Sequence, residues 1–322
     1  SGQVGQELVP YLREAYGAEN VIASDVKPPS PHAVNRAMRS GMGSSEQFVY
    51  VDVVDADNLA RVVLENGIDT IVHLAAMLSA VGERNPQMAL RVNMRGTENV
   101  LEVARQQGAA VFMPSTIAVF GPSTPAVDTP DDTIMRPTTM YGVSKLANEL
   151  LGEYYHRKYQ LDFRSLRYPG IISSKTLPGG GTTDWSVEIF YEAVRKGKYT
   201  CFVREDTRMP MMYMKDTLRA TKDLMDAPAE KLKRRVYNIT AMSFTPKELA
   251  ESIRRVIPNF EISYEPDFRQ SIADSWPRSL DDTKAKEDWG WAPSYDLDSM
   301  CKEMLDAIAK KVSSSGPNGK VR

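Results

Sequence analysis

Apolar residues fall in short continuous blocks separated by longer stretches of helical period. The blocks at 20–25, 48–53, 70–76, 110–114 and 161–168 are strand length and unbroken rather than alternating. Unbroken apolar strands suit a parallel sheet covered on both faces. Between them, a 3.6-residue period predicts helices over 3–15, 56–66, 86–107 and 139–159. Strands alternating with helices imply right-handed crossovers, and so an α/β fold: a Rossmann-type doubly wound parallel sheet.

After Pro169 the pattern changes. A glycine-rich loop at 178–183 precedes a helix over 184–196, a strand over 236–239 and a helix opened by Thr245-Pro246. Thr245 before Pro246, with Glu248 three positions on, is a capping box. The predicted division is a nucleotide-binding domain at 1–170 and a smaller C-terminal substrate lobe at 171–312. Some segments of that lobe should return to the sheet. A polar tail at 313–322 is expected to be disordered. Residues 28–46 read as a long loop with no functional account.

Composition narrows the function. The chain has 322 residues and 42% hydrophobic content, enough for a full α/β core. Its net charge of -2 offers no basic surplus for a nucleic-acid backbone, so no nucleic-acid partner is expected. No apolar run approaches the roughly 18 residues of a membrane span. Three histidines (His32, His73, His156) and two distant cysteines (Cys201, Cys301) form no metal-ligand spacing, so no metal is expected. The cysteines read as inert buried thiols in a reducing compartment.

Two constellations carry chemistry. Gly2-Gln3-Val4-Gly5 matches the end of a dinucleotide glycine fingerprint, in which bare backbone and a helix N-terminus meet a pyrophosphate. Taken alone, two glycines three apart are better explained by an ordinary helix start. Asp25, closing a strand about 20 residues on, is where such folds bind the adenosine ribose, and its charge favours NAD over NADP. In Tyr141-Gly142-Val143-Ser144-Lys145, four-residue spacing puts Tyr141 and Lys145 on one helix face. A tyrosine base near neutrality must lose about 3 units from its reference pKa, roughly 4 kcal/mol, which Lys145 and a nicotinamide cation could supply. Thr116, at the end of a predicted strand, adds a hydroxyl at the ligand-binding edge of the sheet.

The hydroxyl–Tyr–Lys trio resembles that of short-chain dehydrogenases/reductases. Val92-Asn93-Met94-Arg95-Gly96-Thr97-Glu98-Asn99 is similar to the extended branch of that class, which includes nucleotide-sugar epimerases. Leu78 to Glu83, Pro114 to Ile117, Arg167 to Ile172, Pro178 to Asp184, Tyr237 to Phe244 and Ser275-Trp276-Pro277 resemble the short-chain L-threonine 3-dehydrogenase family. The resemblance runs from Gly2 to about Met304 and covers both lobes.

It implies an NAD-dependent oxidation of L-threonine at C3 to 2-amino-3-oxobutyrate. Tyr141 would be the base, Lys145 its electrostatic partner and a ribose ligand, and Thr116 a bond to the substrate hydroxyl. Ser79, Thr182, Thr183 and Trp276 would line the amino-acid pocket. Besides Gly2, Gln3, Val4, Gly5 and Asp25, the cofactor would meet Asp52 and Val53 at the adenine. Leu74, Ala75 and Ala76 would lie along its middle, and Tyr168 with Pro169 at the nicotinamide; Asn93 would support the site. The resemblance also implies an intracellular enzyme, mitochondrial in a eukaryote and otherwise cytoplasmic.

The chain departs from the family at its start, where the first strand and first glycine are absent; a preceding segment is expected. Helices 86–107 and 139–159 carry apolar residues on more than one face, among them Leu90, Val100, Leu101, Leu146, Leu150 and Leu151, which points to a homodimer. Two other functions compete. A nucleotide-sugar epimerase or dehydratase would need a diphosphate site, for which Arg204, Arg208 and Arg278 are candidates. A non-catalytic cofactor sensor could dispense with the trio.

Overall fold

The computed structural model describes residues 2–27, 48–177, 179 and 181–314. The loop read at 28–46, Pro178, Gly180 and the tail from residue 315 lie outside the described residues. The first half alternates helix α1 (Gly5–Tyr16), strands β1 (Ala23–Asp25) and β2 (Phe48–Tyr50), helix α2 (Ala56–Glu65) and strand β3 (Thr70–Val72). Helices α3 (Ser79–Arg84), α4 (Pro86–Leu90) and α5 (Gly96–Gln107) follow, then strands β4 (Ala110–Phe112) and β5 (Ser115–Thr116), helix α6 (Met140–Tyr159) and strand β6 (Phe163–Tyr168).

The strands are parallel, as the unbroken apolar runs require. The order is β3–β4–β6, with β5 also beside β6, while β1 and β2 pair separately. Successive residues of β4 feed opposite faces: Val111 and Met113 pack with Leu59, Val62 and Leu101, whereas Phe112 packs with Leu166, Leu224 and Tyr237. Helices α2, α5 and α6 therefore cover one face of the sheet. Helix α8 (Met214–Asp226), against which α1 packs, covers the other.

The second half is the expected mixture. Strand β7 (Gly170–Ile172) leaves the main sheet after Pro169 and pairs with β9 (Met209–Tyr213), which takes antiparallel β11 (Met242–Phe244) on its other side. Helices α7 (Trp185–Lys196), α9 (Pro246–Arg254) and α12 (Leu297–Ser314) pack here around Trp185, Phe190, Phe244 and Met304. The capping box on α9 is present: Thr245 accepts from Glu248, and Glu248 from Thr245. Strand β10 (Val236–Asn238) returns to the main sheet beside β6. The remaining pair is β8 (Lys198–Cys201) with β12 (Glu261–Tyr264).

Three expectations need correction. The strand read over 70–76 stops its ladder at Val72, one further bond from His73 to Phe112 aside, and 74–78 runs on outside the sheet. The helix read over 86–107 is interrupted by a π turn at Arg91–Arg95, and α3 forms where no helix was read. Helix α12 reaches Ser314, so the tail begins later than residue 313. Val100 and Leu101 are fully buried sheet-facing residues, whereas Leu90 and Leu150 are exposed. No described helix is long and apolar enough to cross a membrane, and the described residues hold no metal-binding cluster.

Candidate active site

The reactive groups meet at the carboxyl ends of β3, β5 and β6. Helix α6 begins there because Thr139 caps it, its hydroxyl accepting from the Gly142 amide at 3.1 Å. Glu83 of α3 accepts the Met140 amide at 2.7 Å. Tyr141 thus sits in the first turn, where the helix dipole favours negative charge. Gly142 is sterically required: a Cβ there would run into the carbonyl oxygen of Ala118.

Thr116 ends β5, and its hydroxyl accepts the Ala118 amide at 3.2 Å. Burial pushes the Tyr141 hydroxyl up to about 12, and the nearby Thr116 hydroxyl pulls the other way. Burial lowers the Lys145 ammonium to about 8, with Glu149 opposing the shift. The Lys145 Nζ donates to the Pro114 carbonyl at 2.9 Å and lies 6.0 Å from the centre of the Tyr141 ring. At this distance Lys145 does not by itself lower the tyrosine, and the expectation had joined it to a nicotinamide cation.

Asn93 falls in the π turn. Its side chain accepts from the Met77 amide at 2.8 Å and donates to the Met77 carbonyl at 3.1 Å and Ser144 Oγ at 3.0 Å. It braces the segment after Ala76 against α6 rather than offering a free amide. Sequence reasoning missed Asn148, which holds the Asn93 carbonyl and Thr97 Oγ1, each at 2.9 Å. It also missed His73, which contacts Thr97 at 3.2 Å and is kept neutral by burial, its pKa falling to about 3.

The residues assigned to the dinucleotide fit one. A Cβ on Gly2 would meet nothing within 4 Å, and one on Gly5 would only touch Leu74 at 3.6 Å. Packing within the chain requires neither glycine, so both leave bare backbone at the N-terminus of α1, beside Gln3 and Val4. Asp25 ends β1, and its Oδ1 accepts the Lys27 amide at 3.0 Å. Asp52 and Val53 follow β2; Asp52 accepts the Val54 amide at 3.0 Å, and Asn99 donates to the Val53 carbonyl at 2.9 Å. Leu74, Ala75 and Ala76 line the extended stretch after β3, with Ala75 exposed. Pro169 follows β6. The Tyr168 hydroxyl turns into the core against Thr221 Oγ1, so only its backbone and ring edge at the end of β6 are left to meet a cofactor.

Of the pocket residues, Ser79 opens α3 and is buried. Thr182 is 2% exposed, and its hydroxyl has no partner among the described residues. Thr183 lies close to β7, its Cγ2 being 3.1 Å from where a Gly170 Cβ would sit. Trp276 bridges the lobe core and the cluster of Ile117, Phe120 and Leu280 beside Thr116. Two of the three arginines considered for a diphosphate are occupied: Arg204 pairs with Asp274 at 2.7 Å and Arg208 with Glu248 at 2.5 Å.

Comparison with known proteins gives the family of the chain. The model of the NAD dependent epimerase/dehydratase family matches residues 1–240. The mitochondrial L-threonine 3-dehydrogenase of Bos taurus is 49% identical over 306 residues, covering 95% of this chain and 80% of that protein. The crystal structure of L-threonine dehydrogenase from Phytophthora infestans superposes with a TM-score of 0.91 at 58% identity, covering 96% of this chain and 97% of that one. A structure called monomeric L-threonine 3-dehydrogenase, from a metagenome, gives 0.89 at 43% identity, with 96% and 97% covered. The chain belongs to the NAD dependent epimerase/dehydratase family, as an extended short-chain oxidoreductase whose cofactor is NAD.

Proposed function

We propose that the chain oxidises the C3 hydroxyl of L-threonine to give 2-amino-3-oxobutyrate. NAD, when bound along α1 and the edge of β3, supplies the hydride acceptor for C3. Tyr141 takes the hydroxyl proton as general base, and Thr116 orients that hydroxyl by hydrogen bonding to it. Lys145 holds the cofactor ribose and places a positive charge behind the phenolate. The observation that carries the reading is the approach of the Thr116 hydroxyl to that of Tyr141, on the helix that also carries Lys145, in a chain about half identical to proteins named for this reaction.

The pocket residues suit a small zwitterion. Ser79, Thr182 and Thr183 offer short hydroxyls that donate and accept without burying an unpaired charge. The partnerless buried hydroxyl of Thr182 gains a bond if a ligand's polar group reaches it. Engagement of Arg204 and Arg208 with carboxylates weakens the sugar-diphosphate alternative. The same reading includes a homodimer formed through α4 and α6, supported by exposed Leu90, Val143, Leu150 and Tyr154. The test is direct: purified protein with NAD and L-threonine should form NADH and a product of the mass of 2-amino-3-oxobutyrate or its decarboxylation product. Absence of NADH with protein that binds NAD would refute the substrate assignment.

A further inference from the structure

Beneath the site lies a buried ionic cluster that the proposed mechanism does not use. Glu149 follows Lys145 by one helical turn, on the same face of α6, and both are buried, at 2% and 5% exposure. Arg167 of β6 grips the Glu149 carboxylate, its Nε reaching the two oxygens at 3.0 and 3.2 Å and its Nη2 reaching Oε2 at 2.8 Å. Ser115 Oγ donates to Glu149 Oε1. Arg167 is itself fixed by the Asp131 carbonyl at 2.6 Å and Asn238 Oδ1 at 3.2 Å, and it stacks over Phe120 at 5.3 Å.

The position of this cluster is what matters. Ser115 stands between Pro114, whose carbonyl holds Lys145, and Thr116, whose hydroxyl meets Tyr141. Register pairs Ser115 with Arg167 and Thr116 with Tyr168. One carboxylate therefore ties together the helix carrying Tyr141 and Lys145, the strand carrying Thr116, and β6. We propose that Glu149 is a positioning residue that keeps Lys145 charged and locks the Pro114–Thr116 segment against α6. The inference rests on the reading of Tyr141 and Lys145 as the reactive pair.

Charges facing Lys145 come from several elements. Tyr141 and Glu149 lie on α6, His73 at the end of β3, and Arg167 on β6 behind Glu149. His73 is neutral, and Tyr141 is a phenol in the free chain. Glu149 thus supplies the negative charge that opposes the pull of burial on Lys145. Arg167 and Ser115 prevent the carboxylate from being an uncompensated buried ion.

The experiment follows NADH affinity by fluorescence across the neutral to alkaline range, using the whole protein. In the wild type, affinity should fall as pH rises through about 8, where Lys145 loses its proton. In Glu149→Gln, which keeps the shape but not the charge, that midpoint should fall by about one pH unit, and threonine turnover at neutral pH should drop with it. Glu149→Asp should restore the midpoint even if it melts at a lower temperature. If Glu149→Gln does not fold, the paired replacement Glu149→Leu with Arg167→Met removes both buried charges together and should still show a fall, smaller because the opposing charge of Arg167 goes with it. An unmoved midpoint in either charge-removing variant overturns the proposal and leaves Glu149 a merely structural residue. The binding readout is independent of substrate. A protein with the predicted midpoints but inert toward threonine would refute the substrate reading and leave this one standing.

Discussion

Glu83 accepts the backbone N–H of Met140 at 2.7 Å, joining the helix that begins with Ser79 to the residue before Tyr141. The proposed base's helix and the helix carrying the pocket candidate Ser79 thus share a hydrogen bond across 57 residues of sequence. Glu83→Ala frees that amide, and loss of a cap of this kind costs about 1 kcal/mol. The Michaelis constant for threonine should rise several-fold while NADH affinity holds. Equal loss of both in steady-state and binding measurements would show that the contact serves general stability.

Tyr141→Phe removes the proton acceptor and keeps the ring. Turnover should fall by roughly 100-fold or more, since a positioned acid/base contributes about that much. Folding, followed by thermal unfolding, and NAD binding should persist. Near-native turnover at saturating threonine would take Tyr141 out of the mechanism.

The trio was legible because its spacing is a property of one helix and one strand end: Tyr141 and Lys145 share a face, and Thr116 closes an apolar block. The supports were not, because their partners are distant in sequence. Glu149 and Arg167 read along the chain as ordinary charged residues; only the register of β5 on β6 brings Ser115 to them. The π turn at Asn93 adds one residue to a helical period and barely disturbs the apolar pattern. Strand ends were overestimated at 73–76 because residues lining the site are as apolar as those in the ladder. For Tyr168, whose place at the nicotinamide came only from the family resemblance, nothing in the sequence hints that the hydroxyl is committed to Thr221 in the core.

Asp25 should set cofactor choice. Its carboxylate ends β1, with one oxygen engaged by the Lys27 amide. A 2′-phosphate brought there meets like charge, which should cost at least about 2 kcal/mol, a factor of roughly 30 against NADP. Comparison of kcat/KM for the two cofactors checks this, and equal efficiency would contradict it.

Leu90 and Leu150, at 41% and 55% exposure, leave apolar surface on α4 and α6 facing away from the sheet. Pairing by two-fold symmetry would cover it. Sedimentation at micromolar concentration should give twice the 36.0 kDa chain mass. A single species at the chain mass would refute the dimer, and Leu150→Glu should produce that species if the face is correctly assigned.

The central claim is that the hydroxyl groups around Tyr141 select L-threonine. Its most direct test measures NADH formation with L-threonine, D-threonine and L-serine at fixed NAD, and follows a UDP-sugar by product analysis, since an epimerase returns its hydride and accumulates no NADH. L-Threonine should be oxidised efficiently and D-threonine hardly at all. L-Serine, lacking the methyl group, should be worse by about 1–3 kcal/mol in kcat/KM. Turnover of the UDP-sugar with L-threonine inert would contradict the account and make the epimerase reading the correct one.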